Sequence, residues 1–482
     1  MTTEEKLIRV TPSPRQLRYQ ETEFYAFFHF GMNTFSNREW GNGKERPEDF
    51  FPAEMDADQW IRAIKAAGMK GAILTCKHHD GFCLWPSHYT SHSIKNSPYQ
   101  NGKGDIVREV SEACRRHGLK FGIYLSPWDR NQSCYGTGKE YDDYYVAQLT
   151  ELLTGYGPVF SVWLDGACGE GKNGKKQRYD WERYYACVRK YQPDACISVC
   201  GPDIRWCGNE AGDVRKSEWS VVPARLALAE SIQDKSQQSD DEEFRKRKLS
   251  SDMEDLGSRK VLEGEEDLIW YPAEVNTSIR PGWFYHQAED DQVKSLEELI
   301  HIYCGSVGGN GMFLLNIPPM PNGRIHENDV NRLKEFGKWK EKTFVVNLVN
   351  DAEIYADTQA ENHPVTNLCT ETLEKWYQPA DEKKSAEITV QLKKAVSLSY
   401  LVLQEAIQFS QRVEAFEVYT YQEDAYVKIY DGTVVGYKKI VPLADIHTEK
   451  VKIVIKESRG CPKIAFLGIY GTEMHTSVKT EF

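Results

Sequence analysis

Residues 56–68 (DADQWIRAIKAAG) and residues 71–78 (GAILTCKH) lie next to each other and together decide the fold class. In the first segment apolar residues recur at helical spacing, with Asp56 suited to cap the start and Gly68 suited to end it. The second segment is an apolar run of strand length that ends in polar residues. A helix followed directly by such a strand is the repeating unit of a parallel sheet covered by helices.

The same alternation of strands and helices extends in both directions through the first two-thirds of the chain. The number of units favours a closed (β/α)8-like barrel over an open doubly wound sheet, and no GxGxxG motif follows the first strand. The other predicted strands are residues 24–32, 121–126, 159–165, 195–201, 268–275 and 312–318, and the other predicted helices are residues 105–118, 144–156, 181–191, 295–304 and 329–340.

The pattern changes after about residue 340, where apolar and polar residues begin to alternate. Such a period of two at residues 386–392, 413–421 and 450–456 predicts an antiparallel sandwich. We therefore predict an α/β protein, with a (β/α)8-like catalytic barrel at residues 1–340 and an all-β sandwich domain at residues 341–482. The highly charged residues 223–266 interrupt the barrel pattern, and we interpret them as a solvated helical or mobile insertion between two strands.

Composition excludes some kinds of partner. A net charge of −12 argues against nucleic acid or an anionic membrane, because an acidic surface does not neutralise either. The 12 Trp and 26 Tyr supply flat apolar faces with polar tips, which suit a sugar ring and a large core equally well. The chain shows no secretory signal and no membrane span, which predicts a cytoplasmic protein. Its 12 Cys form no CxxC pair and are predicted to be reduced thiols; the oligomeric state is not determined by the sequence.

The ends of the predicted barrel strands are unusually polar and aromatic. In a (β/α) barrel the active site lies at the C-terminal ends of the strands, so these residues are expected to share one cleft. They provide His, Tyr and Trp side chains together with candidate carboxylates. The residues are His29, residues 77–82 (KHHDGF), Tyr124, Trp163, Asp165, Glu210, Glu274 and residues 280–286 (RPGWFYH).

Two acidic residues are the candidates for the chemical step. Asp165 lies at the end of an apolar strand (VFSVWLDG), where a buried carboxylate is costly unless it is paired or functional. The alternative is a structural Asp that caps the next helix. Glu210 lies in a loop flanked by glycines (GNEAG) that could bring it into the cleft, although a plain surface Glu fits equally well. Paired carboxylates in an aromatic cleft indicate glycoside hydrolysis.

The KHHDGF motif could instead hold a metal ion, since it contains two His and one Asp. Adjacent side chains at a strand end rarely converge on one ion, and the chain has no HExxH motif or Cys/His spacing of a zinc site. We therefore expect no metal and no cofactor. Imidazoles that form hydrogen bonds with sugar hydroxyls are the better interpretation.

Six motifs together resemble the α-L-fucosidases of glycoside hydrolase family twenty-nine: FFHFGMNTF, REW, TCKHHDGFCLW, GIYLSPWD, VWLDGA and MFLLNIPP. The resemblance covers about residues 10–340, and the sandwich that follows also fits the family. It implies a retaining exo-α-L-fucosidase that acts on fucosylated oligosaccharides, with Asp165 as the nucleophile. The fucose pocket that it implies consists of His29, Glu39, Trp40, His78, His79, Tyr124 and Trp163.

Two further segments, WCGNEAG and WYPAEVNTSIRPGWFYH, resemble the branch of that family that prefers α-1,3/1,4-linked fucose. This resemblance implies Glu210 as the acid/base and Trp283 as the residue that closes the pocket. Glu274 is our candidate for a contact with the galactose of a branched substrate, with a structural ion pair as an equal alternative. The charged stretch before Glu265 is longer than the family pattern leads us to expect.

Two alternative functions belong to different classes. One is a broad-specificity α-fucosidase or another retaining glycosidase on the same barrel, for example an α-galactosidase. The other is a glycan-binding protein with an inactive barrel, in which the sandwich binds the sugar. The presence of both Asp165 and Glu210 argues against the second, because a lectin has no use for a buried carboxylate.

Overall fold

The computed structural model describes residues 3–229 and 255–472. The first ten strands lie in the part that was predicted to form the barrel. In chain order they are β1 (Phe24–Phe28), β2 (Gly71–Lys77), β3 (Lys120–Leu125), β4 (Ser161–Leu164), β5 (Cys196–Val199), β6 (Arg205–Trp206), β7 (Val221–Pro223), β8 (Leu268–Trp270), β9 (Ala273–Ser278) and β10 (Gly311–Asn316).

Eight of these strands form one parallel sheet in the order β5-β4-β3-β2-β1-β10-β9-β6. The two outer strands, β5 and β6, are linked by a parallel bridge between Ser198 and Ile204, so the sheet nearly closes on itself. The strands are buried along almost their whole length, as expected for a sheet covered on its outer face and filled on its inner face. The predicted α/β fold with a barrel is therefore confirmed.

Helices precede and alternate with the barrel strands. They are α1 (Thr3–Arg9), α2 (Pro14–Gln20), α3 (Met32–Ser36), α4 (Ala57–Ala66), α5 (Ile106–His117), α6 (Lys139–Gly155), α7 (Trp181–Tyr191), α8 (Arg259–Leu262), α9 (Leu296–Ser306) and α10 (Glu327–Phe344). Helix α4 shows why the local pattern predicts them well. The Asp56 side chain accepts a hydrogen bond from the Gln59 backbone N–H, and Gly68 follows the helix with a φ of +77°.

Two of the predicted strands are wrong in extent. Strand β1 ends at Phe28 rather than at residue 32, because the chain turns there and α3 begins at Met32. The predicted strand 268–275 is two strands that belong to different sheets. Pro272 separates them, since proline lacks the N–H needed to continue a ladder. Strand β8 pairs with β7 in a separate antiparallel ribbon, and only β9 enters the barrel.

The C-terminal part is an antiparallel β-sandwich domain, as predicted. Its strands are β11 (Glu353–Ala356), β12 (Ala386–Glu405), β13 (Val413–Gln422), β14 (Ala425–Gly432), β15 (Lys439–Ser458) and β16 (Ile464–Thr472). The long strands β12 and β15 pair with each other, while β11 pairs with one end of β12 and β16 with the other. The division at residues 340 and 341 stays a prediction, and helix α10 extends across that position.

Several predictions from composition can be compared with the structure. All 12 cysteines are free thiols, and ten of them are buried. Throughout residues 3–229 and 255–472 no helix is long and apolar enough to cross a membrane, and the cytoplasmic location stays a prediction. Most of the predicted charged insertion, residues 230–254, lies outside the described residues.

Candidate active site

The C-terminal ends of the barrel strands surround a cavity of about 120 Å³. This volume is close to the ~150 Å³ that holds a benzene ring in an engineered protein cavity, so it has room for one six-membered ring. Every predicted catalytic and pocket residue except Glu274 lines it. These residues are His29, Glu39, Trp40, His78, His79, Tyr124, Trp163, Asp165, Glu210 and Trp283, and they are joined by Phe27, Gly166, Ala167, Val199, Trp206 and Asn276.

Asp165 follows directly after strand β4 and is held in one orientation by its neighbours. Its Oδ2 accepts a hydrogen bond of 2.9 Å from the Tyr124 hydroxyl, and its Oδ1 accepts one of 2.8 Å from the Ala167 backbone N–H. Burial and the charge of Asp165 raise the pKa of Tyr124 well above its ordinary value, so the phenol keeps its proton and donates. Asp165 is not a helix cap, because Asp180 caps α7. Each carboxylate oxygen of Asp165 thus accepts one hydrogen bond, and the two bonds together fix the orientation that a nucleophile would need.

His29 is fixed by the buried side chain of Asn316. The Asn316 amide nitrogen donates to the Trp283 carbonyl and the Ser278 hydroxyl, both at 2.8 Å, which sets the orientation of the amide. Its oxygen therefore faces His29, where it accepts from the backbone N–H and lies 2.8 Å from Nδ1. Burial lowers the pKa of His29 to about 4, so the ring is neutral, with its proton on Nδ1. Its Nε2 is consequently an acceptor.

His78 carries its proton on the opposite nitrogen. The Asn33 amide nitrogen donates to the Glu39 carbonyl at 2.9 Å and lies 3.2 Å from His78 Nδ1, so Nδ1 accepts. Burial and the neighbouring imidazoles lower the pKa of His78 well below its ordinary value, and the neutral ring therefore has its N–H at Nε2. The cavity thus combines an imidazole acceptor with an imidazole donor. This asymmetry suits hydroxyl groups, which both donate and accept.

His79 is the third imidazole of the cavity and lies next to Asp165. The hydroxyl of Ser126 gives its single proton to the Trp128 carbonyl at 2.8 Å and so accepts from His79 Nδ1 at 2.7 Å. His79 Nε2 is 3.8 Å from Asp165 Oδ2. Ser126 thus orients His79, while Tyr124 and the Ala167 N–H orient Asp165, so both groups are held in place at the cavity.

A buried ion pair anchors the segment that carries the two adjacent histidines. Lys77 Nζ lies 3.0 Å from Asp129 Oδ2 and 2.9 Å from Gln148 Oε1, and the Lys and Asp side chains are completely buried. Removal of one partner from such a pair typically costs ~3–5 kcal/mol, because it leaves a buried charge uncompensated. The Lys77 of KHHDGF is thus a structural residue that joins the end of β2 to the loop after β3.

We predict that Asn316→Asp raises the pH at which activity is lost on the acidic side of the pH profile. A carboxylate beside Nδ1 favours the imidazolium form and should raise the pKa of His29 by ~1–3 units. Protonated His29 loses its acceptor at Nε2, so kcat/KM for a small chromogenic substrate should decrease at a correspondingly higher pH than in the wild type. Asn316→Ala is the control, since loss of the amide that raises the pKa of His29 should lower activity and move the midpoint, if at all, to lower pH, opposite to the Asp variant. An unchanged acidic limb in the Asp variant would contradict this tautomer assignment.

Glu210 reaches the cavity from the loop that follows the short strand β6. Asn209, which is buried, ties this loop together, since its Oδ1 accepts from the backbone N–H groups of Ala211 and Asp213. Gly212 has a φ of +91°, a conformation that favours glycine. Glu210 Oε2 accepts a hydrogen bond of 3.1 Å from the Trp283 indole. The loop therefore brings a carboxyl group to the same cavity as Asp165.

Glu39 fixes the segment that carries Trp283. Its carboxylate accepts from the backbone N–H groups of Trp283 (2.8 Å) and Phe284 (3.0 Å) and lies 2.7 Å from His286 Nε2. The Trp283 ring is 5.1 Å from the His29 ring, centroid to centroid. Trp283 thus connects Glu39, His29 and Glu210, and its predicted role in closing the pocket stays a prediction.

Glu218, another carboxylate near the loop, has a structural role. Its side chain is completely buried and forms ion pairs with Arg205 and Arg215, the latter at 3.3 Å. The two guanidinium groups outweigh the effect of burial and lower the pKa of Glu218, so it is ionised and cannot serve as an acid. Gln411 of the sandwich contacts the same segment, since it donates to the Glu218 carbonyl and accepts from the Ser220 N–H. The sandwich therefore supports the Glu210 loop from behind.

Glu274 is the one predicted site residue that the structure does not bring to the cavity. Its side chain is fully buried in the barrel interior, where it accepts hydrogen bonds from Tyr19, Tyr25 and Trp163. The prediction of a galactose contact is corrected, because a sugar cannot reach this carboxyl group. The alternative, an ion pair, is also wrong for the described residues, since all three partners are neutral donors.

The sequence interpretation missed the residues that orient the pocket rather than line it. Asn316, Asn33 and Ser126 each fix one imidazole, and all three lie within the quoted motifs. A polar residue at the end of an apolar strand, such as the Asn of MFLLNIPP, is the pattern that could have indicated Asn316.

A nearly closed barrel with two carboxylates in a cavity for one ring defines the class of a glycoside hydrolase. A family model described as Alpha-L-fucosidase matches residues 12–343. The chain is 38% identical over 468 residues to alpha-L-fucosidase 1 of Arabidopsis thaliana, with 95% of this chain and 87% of that protein covered.

Solved structures give the same result. A candidate α-L-fucosidase from Bacteroides ovatus is 42% identical, with a TM-score of 0.84 and coverage of 100% of this chain and 78% of that chain. A family-29 fucosidase from Ruminococcus gnavus in complex with fucose is 29% identical, with a TM-score of 0.82 and coverage of 96% and 95%. The chain belongs to the α-L-fucosidase family, glycoside hydrolase family twenty-nine, and is an α-L-fucosidase. This identification sets aside an α-galactosidase and an inactive glycan-binding barrel.

Proposed function

We propose that the enzyme is a retaining exo-α-L-fucosidase that removes α-1,3/1,4-linked fucose from branched glycans, with Asp165 as nucleophile and Glu210 as acid/base. The proposal rests on the observation that both carboxyl groups line one cavity, which has room for a single sugar ring. The floor of that cavity is built from buried aromatic residues such as Phe27 and Trp163, which leaves no exit for a second sugar there. A closed pocket of this kind supports cleavage of terminal residues only.

The reaction is a double displacement. Asp165 attacks the anomeric carbon while protonated Glu210 gives its proton to the leaving glycosidic oxygen, which yields a fucosyl ester of Asp165 and the free aglycone. Glu210, now ionised, then takes a proton from a water molecule that attacks the same carbon, and the ester bond to Asp165 breaks. Both groups return to their starting protonation states. Two inversions at one carbon give α-fucose as the first product.

Neutral His29 and His78 are proposed to bind two fucose hydroxyls, one as acceptor and one as donor. The rings of Trp163 and Trp283 supply apolar surface for the C5 methyl group, which distinguishes fucose from sugars with a hydroxyl at C6. A sugar that lacks a matching hydroxyl would leave a buried imidazole unpaired, and such sites discriminate strongly.

The preference for branched substrates is supported by a second, larger cavity next to the first. It has a volume of about 1030 Å³ and shares Glu210 and Trp283 with the fucose cavity. Because the acid must touch the leaving oxygen, the aglycone is expected to lie on the side of Glu210 that faces this space. Its walls include Lys294 and His301 from the barrel and Tyr400 from the sandwich, which could contact further sugars.

Retention is tested by proton NMR of the first product. A strained or aryl α-fucoside mixed with enzyme should give α-fucose before mutarotation produces the β form. In a fucose-bound crystal structure, the two carboxyl groups should lie ~5–5.5 Å apart, whereas inversion needs ~6.5–9.5 Å. Initial formation of β-fucose would rule out the double displacement at any distance.

The linkage preference is tested by kcat/KM on two natural oligosaccharides. We expect at least a tenfold preference for a Lewis a or Lewis x trisaccharide over 2′-fucosyllactose, roughly what one or two added sugar contacts provide. Galactose in the branched substrate supplies binding energy that is realised at the reacting carbon. A clear preference for the α-1,2 linkage would place the enzyme with the broad-specificity fucosidases and remove the support that the motif gives to Glu210.

A further inference from the structure

Glu274 on strand β9 is an ionisable group that the reaction scheme does not use. Its side chain has no exposed surface. Oε1 accepts a hydrogen bond of 2.7 Å from the Trp163 indole, and Oε2 accepts bonds of 2.9 Å and 2.5 Å from the hydroxyls of Tyr19 and Tyr25. An indole N–H can only donate, so Oε1 is held as an acceptor.

The surroundings of Glu274 differ from those of Glu218 and Asp129, two other buried carboxylates in this protein. Glu218 lies between two arginines, and Asp129 faces Lys77. Among residues 3–229 and 255–472 no Lys, Arg or His lies within ion-pair distance of Glu274. Burial raises the pKa of Glu274, while its three donors oppose that effect by favouring the ionised form. An ionised Glu274 is therefore a negative charge that no cation neutralises.

Glu274 lies close to the cavity in which the reacting sugar is proposed to bind. Trp163, which it binds, lines the fucose cavity and directly precedes Leu164 and Asp165 at the end of β4. Trp206, which also lines the cavity, is the register partner of Glu274 between β6 and β9. The carboxylate thus lies beneath the floor of the cavity, separated from it by the Trp163 ring. In an interior of low dielectric constant its field reaches the cavity with little screening.

We propose that Glu274 is a positioning residue whose buried negative charge, held against Trp163 under the cavity floor, stabilises the positively charged sugar of the transition state. The inference rests on the proposed retaining mechanism, whose transition state is oxocarbenium-like. A fixed charge costs no reorganisation when the cation develops, and a pocket that is preorganised in this way favours the transition state over the neutral ground state. Trp163 is kept in place by the same hydrogen bond.

The test compares a cationic and a neutral ligand in Glu274→Gln, which keeps the shape and removes the charge. The probes are a fucose-configured piperidine iminosugar, protonated on nitrogen, and fucose itself, with dissociation constants measured by calorimetry. The iminosugar should lose at least tenfold more affinity than fucose, the effect of a unit charge ~10 Å away at an effective dielectric constant of ~20. The kcat for an aryl fucoside should fall by a similar factor with little change in KM.

Tyr25→Phe is the matched control, because it removes one donor from the network and keeps the carboxyl group. Measured at a pH high enough to keep Glu274 ionised without this donor, it should weaken both ligands to the same extent. If Glu274→Gln does not fold, Glu274→Leu combined with Tyr25→Phe replaces the polar pair by apolar groups and is measured in the same way. Equal losses for iminosugar and fucose in the Gln or Leu variant would overturn the proposal and leave Glu274 a purely structural residue.

The binding measurement separates this proposal from the proposed function. Formation of β-fucose by the wild type would refute the retaining mechanism, whereas the difference between cationic and neutral ligands does not depend on turnover. Retention together with an unchanged preference for the cation in Glu274→Gln would refute only the role of Glu274.

Discussion

Asp165→Asn should lower kcat for every fucoside by about 10⁴-fold or more, the scale of loss when a covalent nucleophile is removed. The amide is nearly the same size, and its oxygen can still accept from the Ala167 N–H while its NH2 group donates to the Tyr124 hydroxyl oxygen, so the pocket should keep its shape. It cannot form the ester. Fucose binding should therefore survive while turnover is lost, which is checked by calorimetry and steady-state kinetics on the same preparation.

Asp180→Asn is the matched control for this prediction. Asp180 caps helix α7 through a hydrogen bond from the Arg183 N–H, and Asn is an equally good cap, so activity and melting temperature should stay at wild-type values. Substantial residual activity in Asp165→Asn, with α-fucose still formed first, would show that another group forms the ester.

Glu210→Ala should have an effect that depends on the leaving group. Hydrolysis of a Lewis-type trisaccharide, whose leaving alcohol needs a proton, should fall by ~10²–10⁴-fold. Aryl fucosides with good leaving groups should form the ester at a nearly normal rate and accumulate it, because no base activates water. Azide, which needs no general base, should then restore turnover and yield α-fucosyl azide, because its attack on the ester is the second inversion at the anomeric carbon. Product analysis by NMR and rates at several azide concentrations check this.

Glu182→Ala provides the same chemical change at an exposed position on α7 and should respond to neither azide nor leaving group. Rescue of a Glu218 variant, with none for Glu210→Ala, would show that the acid/base is misassigned. That result is not expected, because Glu218 is already committed to two arginines. Glu210→Ala also removes the hydrogen bond that the Trp283 indole donates to the carboxyl group.

The elements of the fold that depend on local sequence were predictable. Helix α4 with its Asp56 cap and helix α7 follow from spacing and capping, because the pattern of burial is written into successive residues. Strand β6 was missed, since two residues are too few to show a period. The run at residues 268–275 was assigned to one strand, because the separation of β8 from β9 is decided by which sheet each strand joins.

The residues around the cavity were predictable for a related reason. In a barrel the strand ends meet at one face, so His29, His78 and Asp165 are brought together by topology alone. The sequence by itself therefore determined the barrel, the sandwich and the set of polar side chains that face the cavity. It also determined the family, through motifs that lie at those strand ends.

Only the tertiary structure decided what each polar atom binds. Glu274 precedes the SIRPGW motif and looked like a substrate contact, yet Tyr19 and Tyr25, about 250 residues earlier in the chain, enclose it beneath the floor. In the same way, Asn316 determines which nitrogen of His29 carries the proton. Period and motif report which face of a strand is buried, but hydrogen-bond partners come from distant segments whose relative positions depend on the packing of the whole barrel.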